Sequence, residues 1–198
     1  TASGNHDGIS VAKVMLIMTV AATSGSMLFN FSTSSNYELL ASKFGEISQD
    51  PARIGFFLAV VYGLASLTQL LVGNLLDKIA MKPLYLGIIV IQLLALVMAA
   101  ATDGWMFYLA QIVFMASIFG SIPFIDAMVV RFVDDAMRSR VSGMRLAISL
   151  GVGSLAVWLI GPIVKQAGFT TLLWVMAATS CITLAVVSTL PATRLARR

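Results

Sequence analysis

Seven charged side chains are grouped so that they could move a proton or close an ion pair. Asp77 and Lys78 share one short link, and Asp126, Arg131, Asp134, Asp135 and Arg138 fall together in the stretch 126 to 138. Asp126 is set apart from the rest, because Pro123 and Gly120 precede it and it lies about one turn inside an apolar run. A carboxylate at that depth in a bilayer costs up to about 3 kcal/mol unless it faces a cavity or a partner. It could carry a proton, pair with Arg131 as a gate, or reach the interface along its own stem. A second group is uncharged. Thr23, Ser26 and Asn30, continued by Ser34 and Tyr37, are spaced by threes and fours, as are Tyr62, Ser66, Gln69 and Gly73. Such spacing sets each row along one helix face. A polar row does not belong against lipid: it either joins helices, at about 0.6 kcal/mol per contact, or lines a wet cavity. Two such rows on consecutive helices favour a shared cavity.

Enzymatic chemistry finds little support. His6 is the only histidine and sits in a polar leader, so an intramembrane serine nucleophile would have no histidine base. A metal-dependent phosphotransferase needs several converging carboxylates. Asp134 and Asp135 are adjacent, about 100° apart on a helix, and no acidic residue follows them. The lone Cys181 excludes a disulfide framework within the chain. No catalytic residue, metal site or cofactor is expected, and the chain is not read as an enzyme.

The elements that would position these residues follow from hydropathy. The chain is 59% hydrophobic and 11% charged, with a mean hydropathy of +0.93, against about 45–50% and 25% in soluble domains. Six apolar runs, 11 to 33, 53 to 76, 83 to 101, 105 to 130, 141 to 164 and 170 to 190, each have about the length a spanning helix needs. The first is expected to continue as a helix beyond the membrane, with Asp50-Pro51 starting the second. Gly143, Ala147, Gly151 and Ser154 form a small-residue seam on the fifth, read as helix packing. Residues 1–10 lack the basic start and small-residue cleavage site of a signal peptide. They are read as a leader, 11–190 as the membrane domain and 191–198 as a basic tail. Basic residues mark the cytoplasmic side. With six spans, Lys13, Lys78, Lys82, Arg131, Arg138, Arg140, Arg145, Arg194, Arg197 and Arg198 share one side, against Lys43, Arg53 and Lys165 on the other. Both termini are therefore expected in the cytoplasm.

The link Gly-Asn-Leu-Leu-Asp-Lys-Ile-Ala-Met-Lys, 73 to 82, resembles the signature loop of the major facilitator superfamily, Gly-x-Leu-x-Asp-Arg-x-Gly-Arg-Lys. Gly73, Leu75, Asp77, Lys78 and Lys82 match it, while Ala80 and Met81 replace its glycine and arginine. The acidic and basic turn after the fourth run, and Gly161-Pro162 in the fifth, fall in the family's order. The resemblance implies an all-α integral membrane protein, a six-transmembrane-helix bundle of two inverted three-helix repeats. It implies one half of a secondary transporter in the plasma membrane, the second half by its degenerate loop, moving a small solute by alternating access with proton coupling. The partners implied are the solute, the bilayer and the other six-helix half, with no nucleic acid and no cofactor. Thr23, Ser26, Asn30, Tyr62, Gln69 and Gln111 would contact the solute. Asp77, Lys78, Asp126, Arg131, Asp134, Asp135 and Arg138 would gate or couple, with Asp77 meeting Arg131 or a helix amino end. A standalone six-helix scaffold or dimerising protein is the alternative.

Overall fold

The computed structural model describes residues 11–45, 50–132 and 135–189. All regular structure among them is helical: α1 (Val11–Lys43), α2 (Pro51–Leu76), α3 (Met81–Ala101), α4 (Gly104–Phe132) and α5 (Asp135–Ser188). Among the described residues α2, α3, α4 and α5 are each long and apolar enough to cross a membrane. The 33 residues of α1 span about 50 Å at 1.5 Å per residue, so it extends well past the first apolar run, as expected. The start of α2 also follows its sequence signal. Asp50 is the N-cap, its Oδ1 accepting from the Ala52 amide at 3.0 Å, with Pro51 in the first helical position.

Two apolar clusters occupy opposite ends of the bundle. One holds Phe44, Ile54, Ala99, Phe107 and Leu172, and the other Ile17, Met81, Tyr85, Phe124, Met128 and Val187. Aromatic side chains dominate the first end, where Phe44 meets Trp105 edge-on at 4.9 Å and Phe57 meets Tyr108 at 5.1 Å. The Tyr108 hydroxyl donates to the Phe57 carbonyl at 3.0 Å, giving a partly buried ring the polar partner it needs. Lys43 and Asp103 close that end with a 3.0 Å ion pair. At the other end Tyr85 stacks on Phe124, with ring centroids 3.7 Å apart.

The chain passes between these ends without the sixth separate helix expected from hydropathy. The expected fifth and sixth runs form one 54-residue element, α5, broken at Gly168 (φ 77°, ψ 173°). Unbroken, 54 residues would extend about 80 Å. Instead Val141 and Val187 pack at one end, while Val164, Phe169 and Leu172 pack at the other, so the two arms run back along each other. The hydropathy dip at Lys165-Gln166 suggested a loop, but a single glycine suffices. That combination of φ and ψ is open essentially to glycine alone.

Gly168→Ala is therefore expected to destabilise the fold by about 1–3 kcal/mol. The cost is conformational, since an added Cβ would meet nothing within 4 Å. Unfolding in detergent measures it, and a variant as stable as the parent would mean that the reversal tolerates an ordinary residue.

Candidate functional site

The six uncharged candidates do not converge on one cavity. Thr23, Ser26 and Asn30 lie where α1 meets the first arm of α5. The Ser26 hydroxyl donates to the Ser149 carbonyl at 2.7 Å, and Asn30 Nδ2 donates back to the Ser26 carbonyl at 2.8 Å. Gly153 lies so close that a Cβ there would be 2.6 Å from Asn30 Nδ2. This face of α1 is thus a helix–helix joint, while Ser34 and Tyr37, further along it, are exposed. On α2, Tyr62 and Gln69 are half-buried and Ser66 is exposed. The Tyr62 ring lies against Phe119 of α4 at 6.0 Å, and Phe119 also contacts Phe29 of α1 at 5.4 Å. Neither of two cavities, one beside Thr23 and one beside Gln92, is lined by residues of both rows. One reason is local: the Ser66 hydroxyl donates to the carbonyl four residues back at 2.8 Å, as do Ser32 and Thr33 on α1. Such hydroxyls are satisfied by their own helix and signal no cavity.

Gln111 is fully buried and donates to Asn36 Oδ1 of α1 at 2.5 Å. Asn36 Nδ2 and Gln111 Oε1 make no hydrogen bond to the described residues. One donor and one acceptor therefore stand unmatched between α1 and α4, a costly state for buried polar atoms. Asn36 belongs to an adjacent face, with the buried Ser32 and Ser35, which the row beginning at Thr23 passed over. Gln92 was also missed. It is buried in α3 and donates to Ser180 Oγ of the second α5 arm at 2.8 Å, and its isolation in an apolar run was the available signal.

The charged candidates divide as well. Asp126 pairs with Arg145, whose Nη2 donates to Oδ1 at 2.6 Å. Arg145 projects from the neighbouring α5. Asp77 is exposed at the C-cap of α2, the helix end where a carboxylate is least favoured. No ion pair joins it to a described residue. Lys78 is exposed beside it, its amide donating to the Leu75 carbonyl at 3.0 Å. Lys82, in the first turn of α3, donates to the Ser188 carbonyl at 2.7 Å, holding the end of α5 against the start of α3. A cation suits the unpaired carbonyls of a helix C-terminus. Arg138 is half-buried in the first turn of α5. The Arg131 and Asp135 side chains, and Asp134 altogether, lie outside the described residues.

The expected packing seam also moves. Gly143, Ala147, Gly151 and Ser154 are exposed, and a Cβ added at Gly143 or Gly151 meets nothing within 4 Å. The close approach is made instead by Gly153, two positions away.

A cavity of about 100 Å³ lies among α1, α4 and the first arm of α5, and of the six uncharged candidates only Thr23 lines it. Among the described residues no group of three or more histidine, cysteine or acidic side chains could hold a metal ion. No protein-family model matches the chain, and no curated protein matches it in sequence.

Proposed function

We propose that this chain is one half of a secondary transporter of the major facilitator type, carrying a small solute across the plasma membrane by proton-coupled alternating access. The observation that supports this reading best is uneven burial. The most apolar stretch of α4 is 56% buried, but those of α2 and α5 are only 17% and 11% buried. The open faces include Gly55, Ala59 and Gly63 on α2 and Gly143, Ala147 and Gly151 on α5. Lipid would cover isolated leucines equally well, but small residues at four-residue spacing suit close approach of another helical surface. A second half, packed across these faces, would enclose a path neither half forms alone. The same faces would serve a dimerising protein, so flux has to distinguish the two. Within this reading α1 to α3 form one repeat and α4 and the two arms of α5 the other, with both termini in the cytoplasm. Asn36 and Gln111 offer the best solute contacts, because they present an unmatched buried donor and acceptor. Asp126 with Arg145 and Asp77 with Lys78 are the gate and coupling groups on the cytoplasmic side.

The test uses sealed vesicles carrying the complete protein in a Cys181→Ala background. Cysteines replacing Asp103 and Gln166 should react with an impermeant thiol reagent from the outside, and one replacing Ala80 should not. Under a pH gradient the vesicles should accumulate at least one labelled sugar, amine or carboxylate, with Asp77→Asn lowering the rate but not insertion. Correct insertion with no flux of any solute class would discard transport in favour of the dimerising reading. External labelling at position 80 would reverse the topology.

A further inference from the structure

The cavity among α1, α4 and α5 has a chemical character that the transport reading does not use. Its wall is almost wholly apolar, with Met18 of α1, Met128 of α4 and Met144 of α5 contributing from three helices. Thioether side chains are flexible and polarisable, so they adapt to a ligand of irregular shape. At about 100 Å³ the space is smaller than the 150 Å³ apolar cavity known to admit benzene. Water itself is a poor occupant, because it needs two to four polar partners and the wall offers few.

One strong cation borders this apolar space. Arg145 lines the cavity, and its side chain is 29% exposed. Its partner Asp126 does not line the cavity and is 58% exposed. An occupant therefore meets the positive member of the pair. The described contact between the two is one-to-one, Nη2 to Oδ1, whereas a guanidinium fork can bind two oxygens of one anion. Asp126 is the more exposed partner and holds the guanidinium by a single contact, so an anion that engages two of its nitrogens can displace it.

We infer that this cavity is a binding site for an organic anion with a short apolar tail, the tail among Met18, Met128 and Met144 and the carboxylate or phosphate on Arg145 in place of Asp126. The site stands whether or not the chain transports anything. Its anion could come from a soluble short-chain acid or from an acidic lipid, since both present the same charge and the same apolar body.

The experiment is calorimetric titration of the full chain in phosphatidylcholine nanodiscs with hexanoate, and with 1-hexanol as the uncharged control. Hexanoate should bind saturably and more tightly than hexanol. Arg145→Gln should weaken hexanoate about tenfold or more, the scale of a charged hydrogen bond, and leave hexanol unchanged. Arg145→Lys, which keeps the charge but not the fork, should recover part of the loss. Asp126→Asn should tighten hexanoate a few-fold by removing the competing carboxylate. Ala22→Leu, filling the wall, should weaken hexanoate and hexanol alike while circular dichroism stays at the parent's value. Equal binding of hexanol and hexanoate, or an Arg145→Gln variant that folds and keeps its hexanoate affinity, would overturn the assignment. Nanodiscs containing phosphatidylglycerol separate the sources. A lipid ligand would compete and weaken apparent hexanoate binding in the parent but not in Arg145→Gln, while a soluble ligand would leave the isotherm unchanged.

Discussion

Gly153→Leu should prevent the bundle from closing. Gly153 is buried where the first arm of α5 crosses α1, and a Cβ at that position would lie 2.6, 3.1 and 3.3 Å from Asn30 Nδ2, Cγ and Oδ1. Three contacts with one amide cannot all be relieved by a small rotation. Asn30 must leave its place, and with it the 2.8 Å bond to the Ser26 carbonyl. Alanine requires only that displacement and should cost about 0.5–1.5 kcal/mol for the lost bond. Leucine also forces the helices apart, adding the 1–3 kcal/mol or more typical of overpacking. It should in addition disturb the Ser26 contact with Ser149 one turn away. Asn30→Ala tests the cause directly, since Gly153→Ala and Asn30→Ala together should be no less stable than Asn30→Ala alone. Additive destabilisation in unfolding measurements would mean that the crowding arises elsewhere.

Solute uptake, on the transport reading, should fall at least about tenfold in the Asn36→Leu, Gln111→Leu double variant, because a lost contact of 1.4 kcal/mol is a factor of ten. The single variants behave differently. Gln111→Leu alone leaves the Asn36 amide buried with neither group bonded, at about 1–3 kcal/mol. Removing both amides leaves apolar surface between α1 and α4 and should recover most of that stability. An interhelical hydrogen bond in a membrane is worth about 0.6 kcal/mol on average and about 1.7 at most, so the net loss in the double variant is small. Stability and uptake should therefore part company. If the double variant keeps both, the pair only joins two helices and leaves the solute-contact list. Loss of stability in the double variant equal to the sum of the singles would contradict the pairing itself.

What the sequence made legible was whatever depends on local chemistry. Asp50 and Pro51 specify a helix start within four residues, and α2 begins there. Runs of apolar residues marked the helices, and α1 continues past the first run to Lys43, as expected for the start of the link that follows. Side-chain direction across helices was far less visible. Asn36 and Tyr37 are adjacent, about 100° apart on the helix, yet one is buried against Gln111 and the other is exposed. Asp126 announced itself as an unusual carboxylate, but its partner depended on how α5 lies beside α4, and Arg145 looked like one more interfacial cation. The small-residue seam on α5 had the right pattern for packing, and only the position of α1 decides that Gly153 supplies the contact. Serine rows misled because the hydroxyl–backbone bond within a helix mimics polarity that has no outside partner.

On the transport reading, the break at Gly168 bears on how the chain would enter a bilayer. With no loop between the arms of α5, a hairpin is the natural unit of insertion: neither arm can be released into lipid long before the other. Only Lys165 and Gln166 are strongly polar at its tip, so a single ammonium and one amide are what must be carried across. A tag inserted at the tip would lengthen a link between the two arms that a single glycine now makes.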